Sequence, residues 1–190
     1  MSGKSVKPRS RLGDWAEGLA REQLQSIPNR WRHTQSVAAQ ARTASSTVAI
    51  ADRPLLEAAA WLHDIGYGPE IAHTGFHPLD GARYLERYAA PQRLINLVAN
   101  HSCARFEADE RGMLPELSSY ELEVGPVADA LIWADMTTGP TGQTVTVEDR
   151  LAEILRRYTA ESPVHRAIEE ASANIVAAVS RAQRRITESG

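Results

Sequence analysis

The stretch AAAWLHDIGYG, residues 58–68, carries an alanine- and leucine-rich helical pattern into His63 and Asp64 and stops at Gly66. Imidazole and carboxylate are both good ligands for divalent transition metals. Two more histidines, His33 and His101, fall on apolar helical faces, and Asp135 lies four residues after Leu131, on or beside another. One histidine on an apolar face is usually satisfied by an ordinary hydrogen bond. Three of them, with two carboxylates, must each find a buried partner or stay costly polar groups. Carboxylates near a core need a cation, yet the only lysines are Lys4 and Lys7, in the N-terminal stretch. Arginine is one source of charge; a metal satisfies all five groups together. Successive helical residues point about 100° apart, so His63 and Asp64 can address one ion from two directions, or Asp64 can offer its second oxygen to a second ion. Mixed imidazole and carboxylate donors suit Mn, Fe, Co, Ni or Zn better than Ca or Mg. Cys103, two residues after His101, is a poor basis for thiolate ligation, and the spacing is unlike a zinc finger.

Helices must position these groups. No stretch sustains strand alternation, and TVTV at 144–147 is the one β-like run. The expected fold is all-α: a single helical-bundle domain over 13–188, after a disordered tail at 1–12, with 187–190 frayed. A first helix covers about 14–25. A second runs from about Arg30 to Ile50 on the stripe Val37, Ala41, Ala44 and Val48, with His33 one turn upstream. Pro54 opens a third, which ends at His63 and Asp64. HPLDGARYLERY starts another, with Pro78 first and His77 just before it. Pro91 opens the next, on which Leu94, Leu97, Val98 and His101 share a face. Residues 104–124 are polar and read as a long loop or short helix. GPVADALIWADMTTG is a buried-type helix closed by Gly139. Two C-terminal helices fill 146–187. Thr146 caps one, with Asp149 three residues on. Ser162-Pro163 opens the other, on the stripe Ile168, Ala171, Ile175, Val179, Ala182 and Ile186.

At 190 residues and 43% hydrophobic composition the chain can bury a sizeable core. A net charge of -3 gives no reason to expect nucleic acid or an anionic membrane as partner. No apolar run reaches the ~20 residues of a membrane span, and the polar start lacks the core of a signal peptide. The single cysteine rules out an internal disulfide framework and fits a reducing cytosol, so the expected setting is cytoplasmic. A body without lysine loses the phosphate-loop and Schiff-base chemistries, and neither GxGxxG nor GxSxG occurs.

The order His33, His63-Asp64, Asp135, each on a helix and with HDIG at 63–66, resembles the HD-domain metal-dependent phosphohydrolases over roughly residues 28–140. That implies an HD-domain-like helical bundle. In two-metal members a pair of extra histidines lies between the HD pair and the last aspartate. FHPLDGARYL resembles the segment carrying the first, which points to His77, and LVANHS resembles the second, which points to His101. By this resemblance one metal takes His33, His63, Asp64 and Asp135. Asp64 bridges to a second held by His77 and His101, and His63 and Asp64 form the catalytic pair. His73 matches nothing and reads as a loop residue; His165 reads as a surface residue. Many members have lysine where this chain has Tyr67, which departs from the usual phosphodiesterase pattern.

The resemblance implies a metal-dependent phosphohydrolase. One or two divalent transition-metal ions would activate water against a phosphate ester or anhydride of a nucleotide or another small phosphorylated molecule. Two other classes stay open: a di-iron oxygenase of the wider superfamily, and a non-catalytic metal-binding signalling module. Phosphate substrates usually meet guanidinium groups. The candidates are Arg30, one turn before His33; Arg83, less than two turns after His77; and Arg105, one turn after His101. Tyr67 either contacts substrate or fills its loop.

Overall fold

The computed structural model describes residues 11–189; among them the chain is all-α, and the TVTV stretch contributes only an isolated antiparallel bridge, Thr138 to Thr144. Residues 1–10 of the expected tail, and Gly190, lie outside the described residues, while Arg11 and Leu12 already belong to a helix. The helices are α1 (Arg11–Leu24), α2 (Pro28–Thr43), α3 (Arg53–Leu62), α4 (His77–Arg87), α5 (Gln92–Asn100), α6 (Ala104–Glu110), α7 (Leu114–Leu117), α8 (Pro126–Met136), α9 (Val147–Arg157) and α10 (Pro163–Ser189).

Helix α3 is the axis of the bundle. Leu55, Leu56, Ala58, Ala59, Ala60, Trp61 and Leu62 are all buried, and the run of alanines lets α1, α2, α5 and α8 approach closely. Trp31 of α2 stacks on Trp61 of α3 with ring centroids 5.7 Å apart. His33 and His63 each follow one of these tryptophans by two residues, so the stack fixes the register in which the two imidazoles meet. Helix α10 runs along α6, α8 and α9 and buries Ala171, Ile175, Ala178, Val179 and Ala182. Each large aliphatic among them is worth about 1.5–3 kcal/mol of burial. A half-buried clamp adds orientation: buried Asp129 of α8 accepts from Arg181 Nη2 at 2.6 Å and from Arg185 Nη1 at 2.7 Å, both on α10.

Three helix ends differ from the sequence expectation. The helix expected to reach Ile50 stops at Thr43. Ser45, Ser46 and Thr47 follow, Thr47 Oγ1 bonds back to the Ala44 carbonyl at 2.7 Å, and Val48 is extended. Hydroxyl side chains that recruit the local backbone compete with helix continuation. Helix α5 stops at Asn100, so His101 is not on its face; the backbone breaks and Ser102 and Cys103 both take positive φ, 46° and 63°. Helix α8 ends at Met136 rather than near Gly139, with the hydroxyls of Thr137 and Thr138 donating to the carbonyls of Trp133 and Ala134. Thr146 Oγ1 caps α9 as expected, accepting from Asp149 N at 3.1 Å, whereas the end expected to fray from residue 187 stays helical through Ser189.

Candidate metal centre

The HD pair sits where α3 runs out. His63 is the residue after the last helical turn, Asp64 leads into a short 3-10 turn at Ile65–Tyr67, and Gly66 lets the next element close in. A Cβ on Gly66 would lie 2.0 Å from the carbonyl oxygen of His77 and 2.8 Å from the nitrogen of Gly81. No side chain fits there, so α4 can start directly against the HD turn. His77 is the first residue of α4, with Phe76 as its cap, rather than the residue before it. Buried Asp80 holds the approach by accepting from the backbone nitrogens of His73 and Thr74, each at 3.0 Å.

Three imidazoles are oriented alike. His33 Nδ1 faces the Gly139 carbonyl at 3.0 Å, His63 Nδ1 the Ala60 carbonyl at 2.8 Å, and His101 Nδ1 the Val98 carbonyl at 2.7 Å. A carbonyl only accepts, so each Nδ1 carries the proton and donates, leaving Nε2 aimed inward. The inward atoms converge. His33 Nε2 lies 3.0 Å from Asp135 Oδ1 and 3.7 Å from Asp64 Oδ2. His63 Nε2 lies 3.3 Å from Asp64 Oδ2 and 3.8 Å from Asp135 Oδ1, and is a buried atom with no hydrogen-bond partner. On the other side of the same carboxylate, His77 Nε2 lies 3.3 Å from Asp64 Oδ1 and 3.1 Å from His101 Nε2. Two acceptors that face one another this closely need a proton or a shared cation between them. Donor atoms about 2.1 Å from one ion stand about 3.0–3.4 Å apart, which fits four of these six separations; His33 to Asp64 at 3.7 Å and His63 to Asp135 at 3.8 Å are wider. His33, His63 and Asp64 form one group able to hold an ion, and Asp64, His77 and His101 a second. The donors therefore suit divalent transition metals, with Asp64 offering a different oxygen to each group.

The electrostatics express the same demand. Burial disfavours charge on His63, but the Asp64 and Asp135 carboxylates outweigh it and raise the imidazole to about 9. Burial would also neutralise Asp64, yet Arg30 and His63 hold it well below the usual carboxylate range. Asp135 is likewise depressed, burial being overcome by the His33 hydrogen bond and the nearby imidazoles. His77 and His101 are pushed down by burial and by neighbouring positive imidazoles. Positive charge is thus drawn to the Asp64–Asp135 side and kept off the pair beyond it.

All six predicted ligands meet here, with Arg30 and Tyr67 beside them. Arg30 Nη1 donates to Asp64 Oδ2. Its guanidinium lies 4.0 Å from the Tyr67 ring centroid, and that ring stacks on His77 at 4.1 Å. Burial and Asp64 keep the Tyr67 phenol protonated far above its ordinary value. Tyr67 is therefore a platform for Arg30 and His77 rather than loop filling. Arg83 is exposed and away from the cavity over the centre. Arg105 is tied to Asn100 Oδ1 at 2.8 Å and the Tyr120 carbonyl at 2.9 Å. His73 is exposed, and His165 is half-buried against the Tyr158 carbonyl at 3.0 Å. Burial raises the Cys103 thiol to about 11, which leaves it protonated.

Other residues here were not singled out from sequence. Ser102 Oγ donates to Asp135 Oδ2, which leaves Oδ1 for the histidine side. A cavity of about 220 Å³ opens from His77, His101 and Asp135 toward α9 and α10 and is lined in part by Arg111, Arg150 and Arg157. The adjacency of Ser102 to His101 was a readable signal. So was Arg150, which falls on the apolar stripe Val147, Leu151 and Ile154.

With the geometry in view, the comparison with known families is direct. The HD domain family matches residues 30–152, most of the chain and every inward-facing ligand atom described above. The protein belongs to the HD domain family, a superfamily of metal-dependent hydrolases. Comparison with curated proteins and with solved structures returns no match.

Proposed function

We propose that this HD-domain protein is a metal-dependent phosphohydrolase with a two-ion centre. One ion would be held by His33, His63, Asp64 and Asp135, the other by Asp64, His77 and His101. The observation that carries this reading is the pair of close contacts between possible donor atoms, His33 Nε2 to Asp135 Oδ1 at 3.0 Å and His77 Nε2 to His101 Nε2 at 3.1 Å, on opposite sides of Asp64, which belongs to both ligand groups.

Divalent ions bound here supply Lewis acidity, lowering the pKa of water and polarising a phosphoryl oxygen. The protein's own groups do the rest. The Nδ1 hydrogen bonds of His33, His63 and His101 hold the imidazoles in one tautomer. Ser102 fixes the rotation of Asp135. Arg30, held over the Tyr67 ring on the cavity side, would be placed to donate to a phosphoryl oxygen. Arginine on the cavity wall favours a phosphorylated substrate over the oxygenase alternative.

The test is phosphate release from a panel of phosphate esters by protein loaded with Mn, Fe, Co, Ni or Zn. Release that depends on metal and is lost in Asp64→Ala supports the proposal. Oxygen consumption by the iron-loaded protein, with no phosphate released from any ester, overturns it.

A further inference from the structure

The cavity over the metal centre has two unlike ends. One is the metal side, with His77, His101 and Asp135. The other is built by α6, α9 and α10, and there the charge is not balanced. Arg150 and Arg157 lie seven residues apart on α9, and both bond to the same carboxylate: Arg150 Nη1 to Glu153 Oε2 at 2.6 Å, and Arg157 Nη2 to Glu153 Oε1. Two guanidinium groups sharing one carboxylate leave one positive charge over. Arg111 of α6, paired with Glu107 at 2.7 Å, stands on the same cavity. Arg150 is only 7% exposed, and its Nε is buried with no hydrogen-bond partner. A cavity-lining guanidinium that is nine-tenths buried and short of an acceptor is costly unless something supplies one. Its stripe neighbour Ile154, with Ile168 of α10, gives the wall between an apolar surface.

We propose that this far end is an anion subsite. Resting on the phosphohydrolase reading, it makes the substrate a small, short-chain organic phosphate with a second anionic group at its other end. Arg150 is the specificity-determining residue for that group, supported by Arg157 and Arg111. Three features define the class. The metal end takes the phosphoryl group, and the unbalanced arginines require a further anion. The apolar wall takes a short carbon chain. About 220 Å³ is below the ~300–1,000 Å³ of pockets for larger ligands, which suits a short molecule spanning the two ends.

Binding separates this proposal from the hydrolytic one. Titration calorimetry on metal-loaded protein would compare 3-phosphonopropionate with propylphosphonate, which share a non-hydrolysable phosphonate and differ in the distal carboxylate. The carboxylate-bearing probe should bind about tenfold tighter or more, the scale of a charge-assisted hydrogen bond. Arg150→Gln should abolish that preference while leaving propylphosphonate binding unchanged. Arg157→Gln, at an exposed position, should reduce the preference in the same direction and keeps the test alive if Arg150→Gln does not fold. Equal binding of the two probes by wild-type protein, binding of neither, or a preference untouched by both variants overturns the subsite. A preference that behaves as stated, in a protein that hydrolyses no phosphate ester, would sustain the subsite and sink the phosphohydrolase reading instead.

Discussion

His77 Nε2 and His101 Nε2 stand 3.1 Å apart, although His101 has already committed its Nδ1–H to the Val98 carbonyl. One neutral imidazole can present a lone pair to this contact; two need something positive between them or a proton on one. Metal analysis of protein purified without chelator should approach two ions per chain. His101→Ala should lower that toward one with helical content largely intact, and activity should fall steeply because one ion cannot clamp both attacking and leaving oxygens. Saturation at one ion, with activity unaffected by His101→Ala, would return the centre to a mononuclear site.

Arg30 donates to Asp64 Oδ2, the oxygen that a metal held by His33 and His63 would also need. Removing the guanidinium should therefore tighten metal binding, while the substrate loses a charged donor. Arg30→Gln is expected to bind metal more tightly and to lose roughly 10–100-fold in kcat/KM, the equivalent of a charged hydrogen bond. A metal titration beside steady-state kinetics checks both halves. Weaker metal binding in the variant would show that Arg30 supports Asp64 rather than competing at it.

Gly66→Ala puts a methyl 2.0 Å from the His77 carbonyl, a backbone atom that can move only with α4. The cost should reach about 1–3 kcal/mol or more, as for overpacking in a core. It should also displace His77 from Asp64. A drop in melting temperature together with loss of the second ion is expected; a variant with wild-type stability and metal content would mean that α4 is not held in this register.

With its folded-state value raised to about 9, His63 is protonated at pH 7 when no metal is bound. A ligand nitrogen must give up that proton. Metal loading at pH 7 should release about one proton from this group, and release should fade well above pH 9, where the imidazole is already neutral. Calorimetry in buffers of different ionisation enthalpy measures the count. The sign for folding is the same: protonated His63 stabilises the metal-free protein below its unfolded value near 6.5. That contribution is lost as pH rises through about 9.

Much of the centre was legible because ligands constrain sequence locally. HDIG names two candidate ligands and the glycine that lets α4 dock, and a proline at the start of α4 marks where His77 enters. Helix ends were harder to read. Nothing in a periodic apolar pattern announces that Ser102 and Cys103 take left-handed backbone at roughly 1–2 kcal/mol each. His101 therefore reads as a helix-face residue when it is presented from a break. Two of the cavity's arginines were illegible for another reason. Arg111 and Arg157 look like surface charges in the chain, and only the packing of α6, α9 and α10 brings them to one space.

The family match ends at residue 152, yet Ile154, Arg157, Val164 and Ile168 of the cavity wall come after it. Helix α10 is meanwhile pinned to α8 by Asp129, Arg181 and Arg185, none of which line the cavity. The candidate ligands thus lie inside the family match, while the cavity wall is shared between residues within it, Arg111 and Arg150, and residues beyond it. Substitutions along the cavity side of α9 and α10 can retune which molecules are admitted, while the pin keeps the frame still and the ligands stay untouched. Such a layout would let one metal centre be fitted to other ligands largely through α9 and α10, with α6 supplying Arg111.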